Sequence, residues 1–343
     1  MKFVFRMDAS IKMGGGHWLR CLALADTLLA KGHQVSFVYA ESIPALLKRV
    51  EQRPIALFEL SASRATERDA RLTGELVRRE SADWLILDGY HFDSSYRQVL
   101  SLSSGVRLLL IDDLNDSGPL YVDAVLNSTI YAEELSYSVS GNAFDSPCDL
   151  LLGPKYVLLP QAYYRVPVSD MAQRRYLFVN FGATDAAGLT LPALKMLNEL
   201  GFRGDVCVVT GPAIKQHLDV SSLCRRYGYT HLHDLPDLRN VLAQSRLALT
   251  AAGSTLHELA FMGVPAVFLV VADNQLRSAR CHQARGWCNW YDGRDAEGLR
   301  RAVTEIINWW NDKDELYKRA TQACSLVDGH GAERVAEYLQ QSR

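Results

Sequence analysis

The sequence predicts an α/β protein with two doubly wound, parallel-sheet domains of similar size. Three observations support this prediction. Short apolar segments alternate with amphipathic helical segments along most of the chain, which is typical of parallel strands covered by helices on both faces. The alternation stops near residue 131 and restarts at residue 176. The 343 residues, 48% of them hydrophobic, are too many for one ordinary core.

The first half contains five predicted strands and a clear helix. The helix begins near His17, because an apolar stripe that includes Leu22 and Leu29 continues from there until Gly32. The predicted strands are KFVFRMD, QVSFVYA, DWLILDGY, RLLLIDDL and DAVLNST.

Residues 131 to about 175 contain four prolines and no clear period, so they are predicted to be a crossing linker. The second half has five predicted strands, YLFVNFGATD, DVCVVTG, YTHLHDL, RLALTAAG and PAVFLVVAD, and its helices include AAGLTLPALKMLNEL, DLRNVLAQS and STLHELAFMG. We therefore expect an N-terminal domain over 1–152, a C-terminal domain over 153–330 and a helix over 331–343 that packs back on the first domain. The two domains are expected to face each other across a cleft.

Composition excludes several classes of partner. Lys plus Arg number 37 and Asp plus Glu 39, a net charge of −2, and no basic run is interleaved with aromatic residues, so nucleic acid is not expected. No segment reaches the roughly 18 to 20 apolar residues that span a bilayer, and Arg6 and Asp8 interrupt the N-terminal apolar stretch. The seven cysteines lack CxxC spacing and are expected to be reduced and mostly buried. These features favour a cytoplasmic monomer without stable membrane association.

The first candidate site is the loop from Asp8 to His17, in which Gly15 and Gly16 precede a helix. Glycines let backbone N–H groups approach an anion, and a helix N-terminus adds about half a positive charge. The loop has neither the GxGxxG nor the GK[ST] pattern. The positive helix end should keep His17 neutral and able to take a proton. Arg20 lies one turn further on and is expected to face the same cleft.

Two loops of the second half repeat this arrangement of strand, small residues and helix. In the first, Gly182 and Thr184 could offer donors to a diphosphate, whereas Asp185 is predicted to cap the following helix. In the second, small residues again precede a helix that Ser254 or Thr255 caps, and Glu258 lies either on a solvated face or against a ribose. The candidate phosphate contacts there are Ala252, Gly253, Ser254 and Thr255.

Further polar residues follow other predicted strands. Asn274 and Gln275 suit the hydroxyls and amides of a sugar, although capping of the next helix by Asp273 or Asn274 explains one of them equally well. Tyr90 lies in the segment DGYHF and is a candidate substrate contact. Asp88, Asp112 and Asp113 could bind a metal ion, but no histidine ligand pattern accompanies them. Contacts with substrate hydroxyls, or support of a cationic transition state, are favoured instead, while His91, His231 and His233 are expected to be structural or solvated.

The ordered set of these motifs resembles a known family. The glycine loop, AAGSTLHEL and ADNQ resemble GT-B nucleotide-sugar proteins, such as the lipid-linked peptidoglycan N-acetylglucosaminyltransferase. FRMDASIKMGGGHWLRCLALADTL, LILDGY, LLLIDDL, VNFGATD and VDGHGAERV further resemble the UDP-2,4-diacetamido-2,4,6-trideoxy-β-L-altropyranose hydrolases of pseudaminic acid biosynthesis. The resemblance covers nearly the whole chain and implies two Rossmann-like domains. One departure is Met13-Gly14-Gly15, where the family usually has an isoleucine-glycine pair before the second glycine.

The resemblance implies a role for each matching residue. His17 would be the catalytic residue and Asn274 a substrate contact. The loops 182–185 and 252–255 would bind the diphosphate and Glu258 the ribose. Backbone near Leu235 and Leu238 would hold the uracil, by analogy with the transferase. No cofactor and no metal ion is expected, and the partner is the UDP-sugar substrate.

The expected reaction is hydrolysis, with His17 as the base that deprotonates a water attacking the anomeric carbon. The bond between carbon and oxygen breaks and the anomeric centre inverts. Three alternatives remain: a GT-B glycosyltransferase in which His17 activates an acceptor hydroxyl, a hydrolysing UDP-sugar 2-epimerase, and a sensor or partner subunit that binds nucleotide sugar without turnover.

Overall fold

The computed structural model describes residues 1–137, 147–167 and 169–341. They form two compact units. The first comprises Met1–Gln161 together with Gly329–Arg343, and the second comprises Ala162–Asp328. No helix in these described ranges is long and apolar enough to cross a membrane.

The first unit is built on a sheet of seven parallel strands in the order β3-β2-β1-β4-β5-β6-β7. The strands are β1 (Lys2–Met7), β2 (Gln34–Tyr39), β3 (Ile55–Glu59), β4 (Trp84–Asp88), β5 (Arg107–Ile111), β6 (Ala124–Asn127) and β7 (Asp149–Leu152). The helices are α1 (Gly16–Ala30), α2 (Pro44–Glu51), α3 (Glu67–Arg79) and α4 (Ser94–Ser104). Thr66 and Asp93 cap α3 and α4 by accepting backbone N–H groups.

The second unit has six parallel strands in the order β10-β9-β8-β11-β12-β13. These are β8 (Tyr176–Asn180), β9 (Asp205–Thr210), β10 (Thr230–His233), β11 (Ser245–Ala251), β12 (Ala266–Val270) and β13 (Cys288–Asp292). Its helices are α5 (Thr190–Glu199), α6 (His217–Tyr227), α7 (Arg239–Leu242), α8 (Thr255–Phe261), α9 (Leu276–Ala284), α10 (Ala296–Asn311) and α11 (Lys313–Cys324).

Each sheet has a point at which the chain reverses its direction of strand addition. In the first sheet this point lies between β1 and β4, where Met7 is paired with Asp88. In the second sheet it lies between β8 and β11, where Asn180 is paired with Thr250. Open α/β sheets bind ligands outside the carboxyl ends of their strands at such points.

The last helix, α12 (Gly331–Gln341), packs on the first unit. Its residue Leu339 accepts a hydrogen bond from the indole of the buried Trp84 at 3.0 Å. Gly331 approaches the backbone of Val157 so closely that a Cβ would lie 2.2 Å from its carbonyl oxygen. Residues 153–161 therefore belong with the first unit, and the predicted boundaries at 152 and 330 move to 161 and 328.

The ten predicted strands are confirmed, but three further strands exist. These are β3, β7 and β13, and β7 lies inside the segment predicted to be a linker. Residues 138–146 of that segment lie outside the described residues. The seven cysteines are free, and five of them are buried, as expected.

Candidate active site

The loop between β1 and α1 makes a tight turn before the helix begins. Gly14 donates its N–H to the carbonyl of Ser10 at 2.8 Å and has a φ of 78°, in the left-handed region that favours glycine. Gly15 occupies the N-cap position with a φ of −112°, and Gly16 is the first helical residue. The strained backbone conformation therefore falls on Gly14, whereas Gly15 and Gly16 bring α1 and its His17 to the end of β1.

His17 is held by a carboxylate. Its Nδ1 lies 2.7 Å from Oδ1 of Asp88, the last residue of β4. The Asp88 side chain is fully buried, while the imidazole is 11% exposed. A proton on Nδ1 makes this contact a charge-assisted hydrogen bond and leaves a lone pair on Nε2, on the other side of the ring. The pair has the orientation of a general base held by its carboxylate.

Arg20 links this pair to a second carboxylate. Its Nε and Nη2 donate to the two oxygens of Asp88, each at 2.6 Å. Its Nη1 donates to both oxygens of Asp113, at 3.0 and 2.9 Å. Arg20 was predicted to be a substrate contact. The structure instead places it between two carboxylates, with only 18% of its side chain exposed.

Charge explains why Asp88 stays ionised. Burial alone would raise the pKa of this carboxyl group, but the charges of Arg20 and then His17, with their hydrogen bonds, hold the pKa of Asp88 well below its usual range. The positive end of α1 was the influence on His17 expected from the sequence. The structure adds an anionic partner, which stabilises the imidazolium that forms when the ring takes a proton.

Tyr90 forms part of the rim around His17. Its hydroxyl donates to Asp113 at 2.9 Å, and its ring lies edge-on to the imidazole with the centroids 4.8 Å apart. The residue is 49% exposed. Its predicted role as a substrate contact is compatible with this position.

Asp8 does not have the predicted position of a substrate contact. Its side chain is fully buried. One oxygen accepts the N–H groups of Ala40 and Glu41, and the other lies 2.9 Å from both Arg6 and His91. These four partners use the capacity of the carboxylate, so Asp8 has a structural role. His91 is structural through the same contact, as expected.

Asp112 is likewise structural, because its oxygens accept from the N–H groups of Leu114 and Asn115 and from the Tyr137 hydroxyl. The oxygens of Asp88 and Asp112 are thus engaged by protein groups, which favours electrostatic support over direct contact with substrate hydroxyls. Among the residues that the structure describes, no group of three or more His, Cys, Asp or Glu side chains could hold a metal ion.

In the second unit, glycines determine the backbone conformation and close packing of the loop after β8. Gly182 has a φ of 84°, and its N–H donates to the Asn180 side chain at 3.0 Å. Gly211, after β9, lies so close to Ala183 that a Cβ would come within 2.3 Å of it. Asp185 accepts the N–H groups of Leu189 and Thr190 at the start of α5, so it makes the predicted capping contact, although Leu189 occupies the N-cap position. Thr184 is half-buried in this supported loop.

The loop after β11 leads into α8. Ala252 is buried, and Gly253 and Ser254 are exposed, with Thr255 beginning the helix. Ser254 occupies the predicted N-cap position, but its side chain accepts no capping hydrogen bond.

Glu258 does not lie on a freely solvated face. It accepts a hydrogen bond from the hydroxyl of Tyr163, which is 1% exposed. Burial raises the pKa of Tyr163, and the Glu258 charge adds to the effect, so the phenol stays protonated and donates. Tyr163 therefore fixes the orientation of this carboxylate.

The remaining predicted residues lie at neighbouring strand ends of the second unit. Leu235 and Leu238 follow β10, and Leu238 precedes α7. Asn274 is exposed after β12. Gln275 uses its side-chain oxygen to accept the N–H of Val271 at 3.0 Å, which engages part of the amide predicted to bind sugar.

Three residues important for the geometry were not assigned from the sequence. Asp88 and Asp113 stood out only as acids at strand ends, and Tyr163 lay in the predicted linker. The acidic strand ends were the available signal for the first two. No sequence signal pointed to Tyr163.

Sequence comparisons with known proteins find distant relatives of this chain. No protein-family model matches the chain. It is 23% identical over 281 residues to the uncharacterized protein MJ1062 of Methanocaldococcus jannaschii, covering 78% of this chain and 55% of that protein. The chain thus spans about half the length of that relative.

Two other relatives match over nearly their whole length. The UDP-2,4-diacetamido-2,4,6-trideoxy-beta-L-altropyranose hydrolase of Campylobacter jejuni is 23% identical, covering 84% of this chain and 98% of that protein. The spore coat polysaccharide biosynthesis protein SpsG of Bacillus subtilis is 22% identical, with coverages of 97% and 96%.

Solved structures give the same architecture. Acinetobacter baumannii MurG superposes with a TM-score of 0.65 at 17% identity, over 99% of this chain and all of that one. The glycotransferase of kitacinnamycin gives 0.63 at 18% identity, with coverages of 99% and 98%. A complex of UDP with Staphylococcus aureus MnaA gives 0.61 at 13% identity, with coverages of 99% and 96%. The chain therefore consists of two Rossmann-like, parallel-sheet domains and has GT-B glycosyltransferases among its structural neighbours.

Proposed function

We propose that this chain is a nucleotide-sugar hydrolase that releases UDP and free 2,4-diacetamido-2,4,6-trideoxy-L-altrose. The observation that carries the proposal is the contact between His17 and Asp88 at the topological switch point of the first sheet. The sugar follows from the similarity to the Campylobacter jejuni hydrolase and not from the chemistry of the residues.

The reaction needs a base more than an acid. UDP is a good leaving group, so water is the reactant that must be activated. Nε2 of His17 takes a proton from water while the water oxygen bonds to the anomeric carbon. The bond from that carbon to the diphosphate oxygen breaks, and the diphosphate keeps the electron pair. Attack opposite the leaving group inverts the anomeric centre, and a placed base accelerates such a step by roughly 10²- to 10⁴-fold.

Asp88 supports this step in two ways. It holds the proton on Nδ1, which keeps Nε2 available as the acceptor. It also balances the positive charge that His17 gains as the water loses its proton. The proton then passes from His17 to solvent and restores the neutral ring.

The second unit would hold the nucleotide. The loops at Gly182–Thr184 and Ala252–Thr255 lie at the switch point of the second sheet, where backbone N–H groups can bind phosphate. Glu258, oriented by Tyr163, would accept ribose hydroxyls. Glu258→Gln is expected to raise the dissociation constant of UDP about tenfold, the effect of losing a hydrogen bond to a charged group.

The test is release of UDP from UDP-diacetamido sugars in the absence of any acceptor, followed by NMR. His17→Asn should lose nearly all turnover and keep its affinity for UDP in calorimetry. His33→Asn is the matched control, because His33 follows the opposite end of α1, and it should retain activity. In ¹⁸O-labelled water the label should appear in the sugar. Label in UDP would contradict attack at the anomeric carbon, and an active His17→Asn would remove this histidine from the mechanism.

A UDP-sugar 2-epimerase is the second candidate, because a proposed UDP-N-acetylglucosamine 2-epimerase from Listeria monocytogenes superposes with a TM-score of 0.58 at 15% identity. That activity would exchange deuterium into C2 and invert it, whereas simple hydrolysis leaves C2 unchanged. A glycosyltransferase would need an acceptor for stoichiometric turnover. A sensor or partner subunit would bind UDP without turnover.

A further inference from the structure

We infer that Asp113 is a positioning residue that selects the tautomer of His17 through Arg20. The consequence for catalysis rests on the proposed function, but the tautomer itself is measurable without substrate.

His17 Nδ1 has two neighbours of opposite hydrogen-bonding character. Oδ1 of Asp88, an acceptor, lies 2.7 Å away, and Nη2 of Arg20, a donor, lies 3.2 Å away. If Nδ1 carries the proton, it donates to Asp88 and Nε2 has a lone pair. If Arg20 donates to Nδ1, the proton sits on Nε2, and the ring can no longer take a proton there.

Asp113 favours the hydrogen bond from Nδ1 to Asp88 over a hydrogen bond from Arg20 to Nδ1. Arg20 would neutralise Asp88 if this were its single carboxylate partner. Instead, its Nη1 donates to both oxygens of Asp113, which lies on the far side of the guanidinium. One cation between two carboxylates leaves a charge of −1, so Asp88 remains a strong acceptor for the Nδ1 proton. The contact also holds the guanidinium by Nη1, so that Arg20 need not donate to Nδ1 of His17 to be neutralised.

Two neutral groups, Cys21 and Tyr90, also contact these carboxylates. Cys21 donates to Asp88 Oδ2 at 3.4 Å, and burial, with the charge of Asp88, raises the pKa of its thiol. Tyr90 donates its hydroxyl proton to Asp113 at 2.9 Å and is a protonated phenol in this contact. Both therefore stay neutral. The charge beside His17 that selects its tautomer comes from Arg20, Asp88 and Asp113. These residues lie in α1, at the end of β4 and in the segment after β5.

The test is ¹⁵N NMR of histidine-labelled protein at a pH where the imidazoles are neutral, with His17 assigned from His17→Asn. The wild type should show a protonated, pyrrole-type Nδ1 and a pyridine-type Nε2. In Asp113→Asn the two nitrogen shifts should move toward each other as the second tautomer becomes populated. Asp113→Glu, which restores the charge, should recover the wild-type pattern.

Asp26→Asn is the matched control. Asp26 lies on the same helix and accepts a two-pronged contact from Arg53, at 2.6 and 3.0 Å, away from His17. It should leave the His17 shifts unchanged. With UDP-sugar, Asp113→Asn should lower kcat by roughly 10- to 100-fold, the effect of a hydrogen bond to a charged group, and change KM less than about twofold.

Unchanged His17 nitrogen shifts in a folded Asp113→Asn would overturn the inference. So would a wild-type spectrum with a pyridine-type Nδ1, a result that does not depend on how the variant folds. The expected shifts in a protein that releases no UDP would support this inference and contradict the proposed hydrolysis, so the two proposals fail separately.

Discussion

Replacing Asp88 with Asn is the most direct perturbation of the candidate base. The side chain keeps its shape but loses its charge and one acceptor oxygen. At present, Oδ1 accepts from His17 and from Nη2 of Arg20, and Oδ2 accepts from Nε of Arg20. A carboxamide places its NH₂ group either at the Oδ1 position, facing both His17 and Nη2 of Arg20, or at the Oδ2 position, facing Nε of Arg20. One donor then meets another donor in a fully buried position, whichever way the amide lies.

The size of the effect follows from these contacts. If the NH₂ group faces His17, the ring takes the tautomer with a proton on Nε2 and cannot act as a base. Loss of the carboxylate that orients a catalytic histidine has cost about 10⁴-fold in a serine protease. We expect kcat of Asp88→Asn to fall by about 10³- to 10⁴-fold, with KM nearly unchanged. The free energy of unfolding should also fall by about 1–3 kcal/mol, because a buried donor loses its acceptor.

The assay is steady-state release of UDP, together with urea unfolding of the same samples. Asp26→Asn controls for loss of a carboxylate beside an arginine on α1 and should retain most of kcat. A folded Asp88→Asn with kcat within about tenfold of wild type would refute the role given to Asp88.

Two further predictions concern stability. Burial, and after it the charges of His257 and Arg285, lower the pKa of His282 from 6.5 to about 3, so its stabilising contribution is complete above pH 6.5 and is lost as pH falls toward 3. Between pH 6.5 and 3 the free energy of unfolding should fall by up to about 1.4 kcal/mol per pH unit. His282→Gln should reduce this slope, measured by urea unfolding at several pH values. A variant with the wild-type slope would contradict the role given to His282. Asp69→Ala should lower the free energy of unfolding by about 3–5 kcal/mol, since it leaves the buried Arg6 without its two-pronged partner. Asp205→Ala, at an exposed ion pair, should lower it by less than about 1 kcal/mol. Equal losses of stability in the two variants would be inconsistent with this reasoning.

The sequence predicted the architecture well because apolar strands and amphipathic helices leave strong local patterns. It missed the short strands β3, β7 and β13 for a related reason. Segments such as DLLL and CNWYD carry too few residues to show a period, and pairing with a neighbour makes them strands. The boundary near residue 152 moved because packing by α12, about 170 residues later in the chain, decides where the first unit ends.

For the site, the sequence identified residue types but not their pairing. His17 was recognisable from its place at the start of a helix, whereas its partner lies 71 residues away. Asp88 reaches it because β4 pairs with β1, and that strand order is not encoded in a local pattern. The same limitation explains Asp8, which has the strand-end position of a binding residue but is enclosed by Arg6 and His91.

The return of α12 to the first unit has a consequence for how the protein is made. The face of the first sheet that carries Trp84 is covered by a helix that begins at Gly331. During synthesis, residues 162–328 must leave the ribosome before that helix is available. The first unit is therefore translated first but completed last. The second unit, a continuous stretch of chain, can already fold before α12 reaches Trp84.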